Sequence, residues 1–200
     1  MKTVTGLFDS YDDAEAAVSN LEAAGIPSTD ISIVSNNGDG RYKTDDNNAA
    51  EGAGTGAGIG AGIGGAGGLL TGLGLLAIPG VGPVVAAGWL AATAAGAVAG
   101  AVVGGATGGL IGALTESGVS ESDAHVYAEG VRRGGTLVTA RVDETRQAEA
   151  EAVLKGSNWV DPALRRRNYE AGGWKSFDPA LDPYSPDQIA EERRRYPIAR

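Results

Sequence analysis

Residues 3–35 read TVTGLFDSYDDAEAAVSNLEAAGIPSTDISIVS and contain, in order, the signals of a strand, a helix and a second strand. Residues 3–8 alternate β-branched or aromatic residues with small ones, which is typical of a strand. Asp9 or Ser10 can cap the helix that follows, its apolar positions recur at helical spacing, and a glycine ends it. A short strand at residues 31–35 then completes a βαβ unit.

A second half with similar patterning follows residue 115. Residues 120–135 begin with a serine cap, carry acids first and arginines last, and stop at two glycines. Residues 136–142 alternate as a strand, and residues 143–160 have the pattern of a helix. Pro162 would confine a final strand near 159–166 to a sheet edge or a bulge. The order β-α-β, insertion, α-β-α predicts an α+β fold of the ferredoxin-like, split βαβ type.

The insertion is a block without a charged residue, Gly52–Thr115, which lies between Glu51 and Glu116. Near its middle stands IPGVGP, residues 78–83, whose prolines cannot continue a helix. We therefore predict two helical arms joined by a tight turn, a helical hairpin. The predicted turn residues are Pro79, Gly80, Gly82 and Pro83.

Glycines recur every four residues along both arms. Residues at this spacing lie on one face of a helix, and a face without side chains lets two helix backbones approach closely. The spacing therefore predicts a glycine-zipper packing surface. Its residues are Gly52, Gly56, Gly60, Gly64, Gly68 and Gly72 in the first arm, and Gly96, Gly100, Gly104, Gly108 and Gly112 in the second.

Three interpretations of this block compete. A flexible linker explains the glycine content but neither the four-residue spacing nor the absence of charge. A membrane-inserted hairpin fits the arm lengths, but glycine dilutes its hydrophobicity and the flanks are acidic, without a Lys/Arg bias. In a self-associating protein the hairpins of several copies pack together. Each interior glycine costs a helix about 0.8–1 kcal/mol, so the arms need a packing partner. We favour self-association into a homo-oligomer or larger assembly, with membrane insertion as the alternative.

The C-terminal tail is rich in arginine, proline and aromatic residues and poor in aliphatic ones. Such a tail is disordered or docks as an extended arm, on its own domain or on a neighbouring copy that it would clamp. Its arginine clusters can meet acidic faces of other copies, anionic lipid or water. The residues that we expect to make tail contacts are Arg165, Arg166, Arg167, Trp174, Phe177 and Tyr184.

Composition excludes several kinds of chemistry. A net charge of −9 argues against a nucleic-acid-binding protein, and the chain has no cysteine and one histidine. The many glycines of the block match dinucleotide-binding patterns by chance. A dinucleotide-binding motif must follow a strand, and no strand is predicted before the block. We find no catalytic constellation and predict no enzyme activity, cofactor, metal site or small-molecule substrate. The N-terminus has no apolar segment of a secretory signal, so we expect a cytoplasmic protein, with membrane association left open by the hairpin.

These patterns divide the chain into five predicted parts. They are the first half of the α+β domain at 1–35, a polar loop at 36–51, the helical hairpin at 52–115 with its turn at 78–83, the second half of the domain at 116–166, and the tail at 167–200.

Several motifs, in this order, carry a family resemblance. AIPGVGP, GGLIGAL and EGVRRGGTLV, together with the βαβ unit, make residues 3–143 resemble the bacterial general stress proteins, the family of the heat-induced stress protein domain. The segment NYEAGGWKSFDPALDPYS is similar to tails attached to some members. The resemblance implies a stress-induced protein with no established catalytic activity and no functional residues to transfer.

Overall fold

The computed structural model describes residues 1–38, 74–93 and 108–196, and these form an α+β structure around one antiparallel sheet. The strands are β1 (Lys2–Phe8), β2 (Ile31–Asn36), β3 (Gly74–Ile78), β4 (Gly82–Gly88) and β5 (Thr136–Val142). The helices are α1 (Tyr11–Ala23), α2 (Ala113–Glu116), α3 (Glu121–Arg132), α4 (Gln147–Lys155), α5 (Pro162–Ala171) and α6 (Pro186–Arg195).

The N-terminal βαβ unit is split by the strand from the second half. The strand order is β1-β5-β2-β4-β3, and β5 pairs antiparallel with both β1 and β2. Strands β1 and β2 therefore run in the same direction with β5 between them. Helix α1 connects them and begins where Ser10 accepts a hydrogen bond from the Asp13 amide at 3.1 Å. The predicted βαβ order and the α+β class are both present.

Helices cover both faces of this sheet, which differs from the predicted ferredoxin-like sandwich. On one face, side chains from β1, β2, β4 and β5 pack against α2 and α3; on the other, a second apolar cluster packs against α1 and α4. Central strands covered on both sides need apolar residues at almost every position. The first cluster includes Leu7, Val34, Val84, Leu114, Tyr127 and Leu137, and the second Val4, Phe8, Val18, Ile33, Val138 and Leu154.

The turn at IPGVGP joins two strands, which corrects the predicted helical hairpin. Strands β3 and β4 pair antiparallel, with Ile78 opposite Gly82, and β4 pairs with β2. Residues 74–88 are therefore part of the sheet and not of two helical arms. Helical backbone resumes only at residues 89–93. The physical reason is that a run without charges fits a strand buried on both faces as well as a buried helix, so periodicity cannot separate them.

Pro162 has a different role from the predicted one. Val160 makes an isolated bridge with Leu7, and the chain then enters α5 with Pro162 in its first turn. A proline at that position loses no hydrogen bond, because the first amides of a helix have no partner within it. The predicted final strand at 159–166 is thus a single bridge followed by a helix.

Gly88 of β4 lies opposite Ser32 of β2, and it allows a test of this hairpin. Its φ is +87°, and a Cβ added there would meet the Ile31 carbonyl oxygen and lie 2.8 Å from Ser32 Cα. Gly118 has a similar φ of +96° with nothing within 4 Å. Left-handed backbone costs about 1–2 kcal/mol for a residue with a Cβ.

We expect Gly118→Ala to lower the free energy of unfolding by about 1–2 kcal/mol through backbone strain alone. Gly88→Ala should lower it by at least about 1 kcal/mol more, because β4 must also move away from β2. Urea denaturation followed by circular dichroism measures both. Equal losses in the two variants would show that β4 does not lie against β2 at this point.

Candidate functional site: the docking surface of the C-terminal segment

The C-terminal segment, here residues 161–196, packs on the chain's own domain. Local signals place its two helices. The Asp161 side chain accepts from the amides of Ala163 and Leu164 at the start of α5. Ser185 forms a capping box with Gln188 at the start of α6. Between these helices the described chain is irregular, so the helices and the stretch between them must be held by contacts with the domain.

Helix α5 is anchored by two arginines. The Arg165 guanidinium donates two hydrogen bonds to the Asp9 carboxylate, at 2.8 and 2.6 Å, although the two residues are 156 positions apart. This paired geometry is the one that a planar guanidinium forms with a carboxylate. Arg166 donates to Asp123 of α3 at 2.7 Å. Arg167 is exposed. The arginine run thus fixes α5 to the end of β1 and to the start of α3.

Helix α3 carries a buried carboxylate that two arginines share. Glu129 has no exposed surface. Arg132 donates to it from Nε at 2.9 Å and from Nη2 at 2.6 Å. Arg133 donates to it from Nε at 2.6 Å. Arg133 also donates from Nη1 to Glu192 of α6 at 2.8 Å, and Arg132 Nη1 reaches the Asp182 carbonyl at 3.3 Å. The cluster therefore joins α3 to the C-terminal segment.

Aromatic rings pack over the same guanidinium groups. Tyr169 of α5 is 1% exposed, and the Arg133 guanidinium lies 4.1 Å from its ring centre. The Tyr184 ring centre lies 4.9 Å from the Arg132 guanidinium. Burial raises the pKa of the Tyr169 hydroxyl above its ordinary value, despite the nearby arginines. Burial lowers the pKa of Arg133, but the hydrogen bond with Glu192 and the charge of Glu129 raise it more. Both groups therefore keep their usual charge.

The C-terminal segment also contacts the β3–β4 turn. A Cβ added to Gly80 would lie 2.6 Å from Pro179 Cα and 3.0 Å from the Phe177 ring, and one added to Gly82 would lie 2.6 Å from Pro183. Phe177 itself is buried with the cluster on the α2 and α3 face. Glycine at the turn thus permits the close approach of the segment to the sheet.

A similar close approach occurs at α6. Ile189 packs where a Cβ on Gly134 would stand, and Arg193 donates to the Gly134 carbonyl at 3.2 Å. Ile189 also lies against Gly38, the last described residue after β2. The motifs EGVRRGG, AIPGVGP and the tail motif, which are distant in sequence, therefore meet on this surface.

Apart from the exposed Arg167, the predicted tail residues lie where the tail docks on its own domain. The contacts that the tail makes in the structure are with its own domain, and a clamp on a neighbouring copy stays a prediction. Trp174 is half-buried and its ring stacks edge-on against Tyr169, with 5.7 Å between centroids. Glu129, Tyr169 and Glu192 also belong to this surface and are not among the residues predicted from the sequence. The spacing in EGVRR, an acid three and four residues before arginines, is the signal that could have found the first.

The predicted zipper residues are mostly outside the described part of the chain. This holds for all those in the first arm and for Gly96, Gly100 and Gly104 in the second. Gly108 and Gly112 lie in the short helical segment Gly108–Gly112, which is kinked at Gly109. Among the predicted turn residues, Pro79 and Gly80 form the turn, while Gly82 and Pro83 begin β4.

A shallow cleft opens beside the docked helices, with about 230 Å³ of empty volume that includes open solvent. Its carboxylates, Asp9 and Glu192, are already engaged by Arg165 and Arg133. Within 1–38, 74–93 and 108–196, no group of three or more His, Cys, Asp or Glu could hold a metal ion. In that same part of the chain, no helix has the length and apolar character needed to cross a bilayer. The arrangement is one of packing and charge pairing.

Two neighbouring arginines of α5 allow a matched test of this docking. We expect Arg165→Lys to lower the free energy of unfolding by about 1–3 kcal/mol, because an ammonium cannot make the paired bonds to Asp9. Arg167→Lys, on the exposed side of the helix, should change it by less than about 0.5 kcal/mol. Denaturant titration measures both, and limited proteolysis should release the C-terminal segment sooner in Arg165→Lys. Identical behaviour of the two variants would contradict the Asp9 anchor.

Comparison with known proteins is informative for the N-terminal part. Residues 3–76 match the model of the family described as heat induced stress protein YflT domain. This range covers β1, α1, β2 and the first residues of β3. No curated protein and no solved structure gives a significant match. The resemblance of the chain to the general stress proteins is thereby confirmed for residues 3–76.

Proposed function

We propose that this chain is a stress-response protein without catalytic activity that associates with copies of itself through the uncharged block, residues 52–115. The family match supports the stress role. The proposed self-association rests on the distribution of charge along the chain. The chain has 25 acidic and 16 basic residues, and all of them lie outside the block.

Charge distribution limits where two copies can touch. A net charge of −9 makes copies repel each other over most of their surface. A contact between identical molecules is best made by a surface without charge, because a two-fold interface places the same patch on both sides. The block has the uncharged, apolar composition of such a contact surface, and a large exposed apolar patch is typical of an interaction site.

The docked C-terminal segment sharpens this proposal. Its Arg165 and Arg166 pair with Asp9 and Asp123, and its Glu192 pairs with Arg133, all within the same chain. We therefore assign the contact between copies to the block and not to the tail. Helical backbone is present at 89–93, and the predicted second arm at 94–107 lies outside the described residues.

A test of the proposal compares two adjacent glycines. Gly104 belongs to the four-residue row and Gly105 lies one position off it; both are outside the described residues. We expect the wild-type chain to sediment as an oligomer, Gly104→Leu to sediment as a monomer, and Gly105→Leu to resemble the wild type. The reason is that a leucine on the row blocks the approach of two helix backbones, whereas one off the row does not.

Sedimentation velocity from about 1 to 100 μM chain, in the range of typical protein–protein affinities, measures the assembly state. Flotation with vesicles of mixed neutral and anionic lipid, without detergent, is the companion measurement. A wild-type chain that stays monomeric over this range would overturn self-association. A chain that floats with vesicles but stays monomeric without them would favour the membrane-inserted alternative instead. Equal effects of the two leucine substitutions would show that the glycines at four-residue spacing do not form the packing surface.

A further inference from the structure

The two edge strands of the sheet, β1 and β3, differ in how far other parts of the described chain cover them. At the β1 edge, the Val160 amide donates to the Leu7 carbonyl at 2.8 Å, so the backbone after α4 covers part of that edge. At the other edge stands β3, and within the part of the chain that the structure describes, β3 pairs with β4 alone. Within those described residues, the outer row of backbone groups of β3 has no strand partner.

The register shows which groups these are. The Asn37 amide donates to the Pro83 carbonyl at 2.8 Å, so the backbone carbonyl of Pro83 points toward β2. In an antiparallel ladder, successive residues point their backbone groups to alternate sides. Val84, opposite Leu76, therefore bonds to β3. It follows that Leu75 and Ala77 point their N–H and C=O groups to the open edge.

Strand β3 itself has none of the sequence features that usually protect an edge. Natural edge strands carry charges, prolines or bulges that prevent pairing with another chain. Strand β3 reads GLLAI, with no charge and no proline, and Ala77 is exposed. It also lies inside the uncharged block, so an identical strand can approach it without like charges meeting. These properties select a second copy of this chain as the partner.

We propose that β3 pairs antiparallel with β3 of a second copy, which joins two five-stranded sheets into one continuous sheet about a two-fold axis. With the axis at Leu76, Leu75 of each copy pairs with Ala77 of the other, and both pairs exchange backbone hydrogen bonds. The inference rests on the proposed self-association and assigns part of its interface. It requires no change in the fold of either copy, because the backbone groups already face outward.

Ala77 allows a test by a matched pair of substitutions. In the paired sheet the two Ala77 side chains are diagonal neighbours, about 7–8 Å apart. Ala77→Glu places two carboxylates at this distance, whereas Ala77→Gln adds a side chain of the same size without charge. We expect Ala77→Glu to raise the dissociation constant at least tenfold by sedimentation velocity, and Ala77→Gln to change it by less than about threefold.

Hydrogen exchange on the wild-type chain tests the same pairing without a substitution. The amides of Leu75 and Ala77 should become protected as the concentration rises, whereas the Leu76 amide, bonded to β4, should be protected throughout. A wild-type chain that is monomeric at every concentration would overturn the proposed self-association and this interface with it. An assembly that Ala77→Glu does not weaken, or in which Leu75 and Ala77 exchange equally at all concentrations, would overturn the β3 pairing alone.

Discussion

The buried carboxylate of Glu129 is the constraint on which the arrangement of the C-terminal half depends. A carboxylate without exposed surface must be neutralised and fully hydrogen-bonded, since an uncompensated buried charge costs several kcal/mol. Arg132 and Arg133 neutralise it, and two cations for one anion leave guanidinium groups that need further acceptors. Those acceptors, the Glu192 carboxylate and the Asp182 carbonyl, come from the C-terminal segment. The charge buried in α3 thus requires the segment to dock.

The sheet explains why this docking surface lies where it does. Strand β5 inserts between β1 and β2, so the chain that follows α3 returns to the centre of the sheet. The end of α3, the turn between β3 and β4 and the chain after β1 then lie on one side of the molecule, where the segment contacts all three. Gly134 leaves room there for Ile189, and Gly80 of IPGVGP leaves room for Pro179. AIPGVGP and EGVRRGG therefore share a structural role, since both leave room for the docked segment.

Strands β3 and β4 show that part of the uncharged block forms sheet and not the predicted helical hairpin. Residues four positions apart lie on one face of a helix, but they also lie on one face of a strand, whose side chains alternate. A helix interface and a strand covered on both faces equally require the absence of charge. The neighbouring strand β2 decides between helix and strand, because it supplies the backbone hydrogen-bond partners of β4. The block thus contributes to the sheet at 74–88.

The sequence by itself determined the elements in which local signals agree. Caps, apolar period and glycine stops placed α1, α3, β2 and β5, because each of these signals acts within a few residues. The same reasoning identified the arginine and aromatic residues of the tail. Tertiary structure alone decided the β-hairpin, the second covered face of the sheet and the partners of the tail. Arg165 finds Asp9 at the far end of the chain, and Arg133 joins Glu129 to Glu192. Such pairings depend on which elements are brought together in space, and no local pattern contains that information.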